Sequence, residues 1–210
     1  MKIVDLDNWE RKDHYHFFKG LDYPHFSISA NLDITRFYRY IKENGLPFFI
    51  SCLYVVVKTA NRIPEFRYRI RENQVVEHEM IHPSFTAMTS KGVFSFCTVN
   101  YLEDYQQFKA STSRAIEAAR NQISLEDEPG RDDLLYISCI PWISFTSVAH
   151  PIHMNPVDSI PRITWGKYFE EGGKIKMPLS VQGHHALIDG YHVGQYFNEL
   201  QAMKDRPEIL

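Results

Sequence analysis

The chain has 210 residues, 44% of them hydrophobic and 23% charged, with a formal net charge of -3 at pH 7. That length is enough to bury a substantial core in one domain, and the near-average composition excludes both a disordered chain and a membrane protein. A small negative charge with no long run of Lys or Arg excludes a general attraction to nucleic acid or anionic lipid.

The opening stretch from Met1 to Glu10 alternates charged and apolar residues and offers no signal-peptide core. No segment approaches the about eighteen apolar residues of a membrane span. Cys52, Cys97 and Cys139 are odd in number and sit among apolar neighbours, which fits reduced core thiols better than a disulfide framework or a zinc site. A cytoplasmic protein is expected.

Leu32 to Gly45 reads as an amphipathic helix with Asp33 as N-cap, Ile34, Phe37, Tyr38 and Ile41 on one stripe, and Gly45 as its stop. Pro47 then fits a first helical turn, and Phe48 to Ala60 is apolar nearly all round, as a central core helix requires. From Phe66 to Asn100 the pattern changes to short runs such as Gln74-Val75-Val76 and Val93 to Cys97, separated by Arg71-Glu72-Asn73 and Ser90-Lys91-Gly92. These predict antiparallel strands. Tyr101 to Gln122 returns to helical spacing, and Glu126 to Asp133, with Pro129-Gly130, reads as an exposed loop.

Leu134 to Pro141 predicts a buried strand, Ile163 to Phe169 and Lys174 to Val181 a hairpin around Glu171-Gly172-Gly173, and Asp189 to Met203 a closing helix. Hairpins mixed with separate helices imply an α/β (α+β two-layer) fold, a large mixed β-sheet covered by helices, in one domain spanning residues 1–210.

The chemistry is concentrated in Leu179-Ser-Val-Gln-Gly-His184-His185-Ala-Leu-Ile-Asp189-Gly190-Tyr-His-Val-Gly194. A strand runs into two histidines, then a turn with an acid and a glycine, then a helix. A strand end holds a base rigidly, Asp189 can cap the following helix, and Gly190 can take backbone angles closed to other residues. Histidine, with an unperturbed pKa of roughly 6.5, is the natural base near neutral pH. Ten histidines occur in the chain, and a single one beside a strand end is more often a hydrogen-bonded structural imidazole.

His-His-x-x-x-Asp-Gly resembles the signature of the chloramphenicol acetyltransferases and of dihydrolipoamide acyltransferase catalytic domains. The resemblance to the first family continues through Trp9-Glu10-Arg11, Phe17-Phe18, Ile137-Ser138-Cys139-Ile140-Pro141-Trp142, Ser144-Phe145, Thr164, Lys167-Tyr168 and Gly190-Tyr191-His192-Val193, covering essentially the whole chain. It implies the CoA-dependent acyltransferase fold, acetyl-CoA as co-substrate with no tightly bound cofactor and no metal, a homotrimer with active sites between subunits, and transfer of acetyl to a hydroxyl of chloramphenicol or a related small alcohol. His185 then resembles the general base, and Ser138 the hydroxyl that donates to the oxyanion of the tetrahedral intermediate. Asp189 and Arg11 resemble the buried ion pair that fixes the histidine's turn. Thr164 resembles a residue ordering water and acceptor, Lys167 and Tyr168 residues of the CoA channel, and Phe17 and Phe94 aromatic pocket walls.

The acceptor pocket departs from the family pattern. Phe18 stands where tyrosine is usual, His150 near a usual leucine and Arg162 near a usual isoleucine, which directs attention to another hydroxyl or an amine as acceptor, with chloramphenicol still leading. Other readings are a dihydrolipoamide-acyltransferase-like enzyme, disfavoured by the Trp-x-Arg start and by an expectation of no lipoyl segment ahead of it, and a non-catalytic relative that binds acyl-CoA. A metal-binding module would use His14 with His16, His150 with His153, and His184-His185 with His192, but no Cys or accepted ligand spacing accompanies them.

Overall fold

The computed structural model describes residues 1–121, 124–125 and 130–210. In chain order the elements are β1 (Lys2–Ile3), α1 (Lys12–Lys19), β2 (His25–Asp33), α2 (Thr35–Glu43), α3 (Phe48–Arg62), β3 (Tyr68–Arg71), β4 (Gln74–Glu77), β5 (His82–Met88), β6 (Phe94–Thr98), α4 (Tyr105–Ala119), β7 (Leu134–Ile140), β8 (Arg162–Gly166), β9 (Phe169–Glu171), β10 (Lys174–His184) and α5 (Gly190–Lys204). Short 3-10 turns cover Pro64–Arg67 and Pro207–Ile209.

A large mixed sheet runs β2-β10-β8-β7-β5-β6, with β9 paired to the start of β10, and a small second sheet runs β1-β4-β3. Pairing is parallel between β5, β7 and β8 and antiparallel elsewhere. The strands between residues 66 and 100 are therefore not one antiparallel set as expected: β3 and β4 form their own sheet, and β5 takes a parallel neighbour on its other side.

Strand alternation explains the two faces of the large sheet. Leu179 and Val181 of β10, Ile163 and Trp165 of β8, Ile137 of β7 and Phe85 of β5 point to one face and pack with Leu53, Val56 and Tyr196 in the main core. The opposite face carries Ser180, Gln182, Thr164 and Ser138, and the segment after β7 lies against part of it through bonds from the His150 amide to Gln182 Oε1 (2.8 Å) and from Ser27 Oγ to the Val148 carbonyl (3.1 Å).

α3 is buried on every side from Ile50 to Val57, as its all-round apolar sequence predicts. α2 is shorter than expected, because Leu32 and Asp33 finish β2. From one residue upstream of the N-cap, Asp33 Oδ1 still accepts from the Thr35 amide at 3.0 Å, and Gly45 ends the helix with a φ of 62°. α4 begins at Tyr105 behind the capping carboxylate of Asp104, while Gln122 and residues 126–129 of the expected loop lie outside the described residues. The expected hairpin exists between β9 and β10, turning through Gly172 and Gly173, both at positive φ, as a two-residue turn of this hand requires. β8 is a separate antiparallel neighbour of β10. The three cysteines are free thiols. No helix among the described residues is long and apolar enough to cross a membrane.

Candidate active site

From Lys176 to its end β10 is held by nine consecutive register pairs to β2, the last placing His184 opposite His25. The chain then turns on the His184 carbonyl, which accepts from the amides of Leu187 (2.9 Å) and Ile188 (3.0 Å). Ala186, Leu187 and Ile188 are fully buried, so three apolar side chains fasten this turn into the core. His185, between the strand end and that plug, donates its amide to the Pro24 carbonyl at 2.7 Å.

Its imidazole lies flat on the ring of Phe18, with centroids 3.8 Å apart and planes at 2°, and against Phe26 at 4.6 Å. Nδ1 is buried without a partner among the described residues, which leaves Nε2 as the nitrogen facing outward.

Asp189 accepts from Arg11 Nη1 at 2.5 Å, and Arg11 Nη2 reaches the His185 carbonyl at 3.4 Å. The same carboxylate caps α5 through the Tyr191 amide (3.0 Å) and the His192 amide (3.4 Å). Burial pulls the Asp189 carboxyl upward, but the bond from Arg11 and the nearby charges of His192 and Arg11 outweigh it and hold the group below its ordinary 3.8. Gly190 does not need glycine's freedom here: its φ is not positive and a Cβ would meet nothing within 4 Å.

His184 points to the other side. Burial, reinforced by the His25 imidazole at 5.3 Å, pushes it down to about 4, so it stays neutral near pH 7 and is unsuited to proton uptake there. Two residues that position the site escaped the sequence reading, Phe26 and Pro24. His192, named there within a family segment and as a metal-ligand alternative, is instead the capping-box partner three residues after the Asp189 cap.

A second group lies on the polar face of the sheet. Ser138, half-buried, pairs across β7 and β8 with Thr164, which pairs with Ser180 of β10. Two strand spacings of about 4.8 Å sideways and five residues of about 3.3 Å along β10 put the Ser138 and His185 backbones roughly 19 Å apart. One chain therefore does not bring the two together. Thr164 is only 1% exposed, and its hydroxyl is 2.6 Å from His150 Nε2. Arg162 is buried, held by the Asp158 carboxylate and the Ile160 carbonyl, and so does not line an open pocket.

Phe17 and Phe94 are exposed, on α1 and on the edge strand β6. Lys167 and Tyr168 lie exposed between β8 and β9, with the Tyr168 ring 5.0 Å from Tyr38 and 5.6 Å from Phe48. Among the described residues no group of three or more His, Cys, Asp or Glu is placed to hold a metal ion.

A curated chloramphenicol acetyltransferase from a Klebsiella species is 31% identical over 205 residues, covering 96% of this chain and 93% of that protein. A solved chloramphenicol acetyltransferase structure superposes with a TM-score of 0.86 at 28% identity, covering 96% of this chain and 98% of the other. A dihydrolipoamide acetyltransferase structure from Azotobacter vinelandii shares the fold at 17% identity, with a TM-score of 0.68 over 94% of this chain and 88% of that one. The sequence profile described as "Chloramphenicol acetyltransferase" matches residues 1–201. The chain is an acyltransferase and belongs to the chloramphenicol acetyltransferase family.

Proposed function

We propose that residues 1–210 form one acetyltransferase domain that moves the acetyl group of acetyl-CoA onto a hydroxyl of chloramphenicol or a related small alcohol. The observation that carries this reading is the His185 imidazole, stacked on Phe18 and anchored through Pro24 and the Arg11–Asp189 pair, with Nε2 outward. Nε2 takes the acceptor's hydroxyl proton as the oxygen attacks the thioester carbonyl. The tetrahedral intermediate collapses, the CoA thiolate leaves, and the imidazolium returns the proton to it.

The oxyanion needs a donor within about 3 Å, and Ser138 of the same chain is far outside that reach. In this reading the chain works as a homotrimer in which Ser138 of one copy faces His185 of the next, each subunit interface closing one site. Lys167 supplies a cation for CoA phosphates, and the Tyr168–Tyr38–Phe48 cluster an aromatic surface beside them. The protein acts in the cytoplasm.

The test is CoA release from acetyl-CoA across a panel of small alcohols, monitored with a thiol reagent. Release dependent on a chloramphenicol-like alcohol and abolished by His185→Ala is expected. No release with any hydroxyl acceptor would overturn the reading.

A further inference from the structure

Thr164 occupies the strand position beside Ser138, yet almost none of its surface is accessible, because the segment after β7 folds back over it. That segment is clamped in place twice by one side chain: Gln182 Oε1 accepts from the His150 amide at 2.8 Å, and Gln182 Nε2 donates to the His150 carbonyl at 3.3 Å. A third tie comes from Ser27, whose hydroxyl donates to the Val148 carbonyl while sharing a 2.9 Å bond with Ser180. The His150 backbone is thus fixed by both of its polar groups, and its Nε2 is committed to the Thr164 hydroxyl at 2.6 Å.

The half-buried His150 ring covers the Thr164 hydroxyl, so its edge, not the hydroxyl, is the surface presented one strand spacing, about 4.8 Å, from the Ser138 position. Among the described residues Nδ1 makes no hydrogen bond to the protein. Arg162, the nearest cation named by the sequence, is already neutralised by Asp158, so no free charge faces this point from β8.

The geometry points to His150 as a specificity-determining residue: its Nδ1 engages a second hydrogen-bonding group on the acceptor, selecting alcohols that carry one a few bonds from the acetylated oxygen. This rests on the acetyl-transfer reading. The distance between adjacent strands is comparable to the span between the two oxygens of an extended diol. A site that offers a fixed polar group discriminates against a substrate lacking the partner, because the group is then left unpaired in a dry pocket.

The test compares phenylpropanol with phenylpropanediol, which differ by one hydroxyl, in the CoA-release assay. The wild-type protein is expected to favour the diol by tenfold or more in kcat/KM, chiefly through KM. His150→Leu removes both ring nitrogens and should bring the ratio near one. His150→Asn places an amide near the Nδ1 position and should keep most of the preference, whereas His150→Gln reaches the Thr164 side and should lose it.

An unchanged diol preference in His150→Leu overturns the assignment, as does preference kept by Gln and lost by Asn, which would mean that the ring acts only through Thr164. A wild-type protein that turns over both alcohols without preference also overturns it, and leaves the acetyl-transfer reading standing. Release of CoA with neither alcohol, nor with any other acceptor, overturns both.

Discussion

Replacing Asp189 by Asn isolates what its charge does, because asparagine caps a helix about as well as aspartate. The Tyr191 and His192 amides keep an acceptor, and the change falls on the 2.5 Å bond from Arg11. A hydrogen bond between charged partners contributes about 1.5–3 kcal/mol, and these side chains are 13% and 26% exposed, so about 2 kcal/mol is the appropriate figure. For a chain of this size that is a fall of about 4 to 8 °C in Tm. Arg11→Met should cost a similar amount, and the double variant little more than either alone, a coupling of about 2 kcal/mol in a calorimetric double-mutant cycle. The folded carboxyl sits below 3.8, so this stabilisation is complete above that pH and is lost as pH falls through the lowered folded value. Because Arg11 also reaches the His185 carbonyl, kcat should fall by about tenfold to a hundredfold in each single variant. Losses that add to within about 0.5 kcal/mol, or unchanged kcat in both variants, would refute the coupling between this pair and the histidine.

If each site is shared between copies, inactive Ser138→Ala and His185→Ala proteins denatured together and refolded should regain a measurable part of wild-type activity in the CoA-release assay; mixtures no better than their parts would place the whole site in one chain. Lys204 is fully buried, its ammonium 3.8 Å from the Cys52 thiol and 3.9 Å from the centre of the Phe37 ring, and burial lowers its pKa below 10.5. The cost of burying its charge applies below 10.5 and disappears as pH rises past it, so Lys204→Met should raise Tm by several degrees at pH 7, with the gain shrinking toward pH 10; a gain independent of pH would contradict this. Burial also depresses His25, His82, His150, His184 and His192 below 6.5. Unfolding then takes up protons below that value, and denaturation titrations should show stability falling between pH 6.5 and 4, by up to about 1.4 kcal/mol per pH unit for each histidine. His184→Phe should flatten that slope, and an unaltered slope would assign the loss to other groups.

α3 and the strand–turn–helix around His185 were legible because both follow strong local rules, an all-apolar helix and a capping acid after a strand. α1 was not: Lys12–Lys19 buries only Tyr15, so its apolar stripe is too narrow to stand out. β2 carried a legible signal, Phe26, Ile28, Ala30 and Leu32 alternating with Ser27, Ser29 and Asn31, but it went unread, and its last two residues were absorbed into the helical pattern of α2. The parallel pairing of β5 with β7 joins segments some fifty residues apart, and no local pattern records it. Within the site, Asp189 and Arg11 do meet as the motif implied, 178 positions apart in sequence. The burial of Thr164 beneath His150 could not be read, because it depends on long-range bonds that tie the segment after β7 to Gln182, Ser27 and Thr164, on three other strands.

The nine-pair ladder between β2 and β10 also governs where this sequence can change length. Along a pleated strand, gaining or losing one residue within 176–184 would exchange the two faces, driving Ser180 and Gln182 into the apolar layer and swinging His185 to the wrong side. At Gly172–Gly173, where a Cβ would meet open space, an extra residue only lengthens a turn. Natural variants should therefore accumulate insertions at that tip and almost none between it and the histidine.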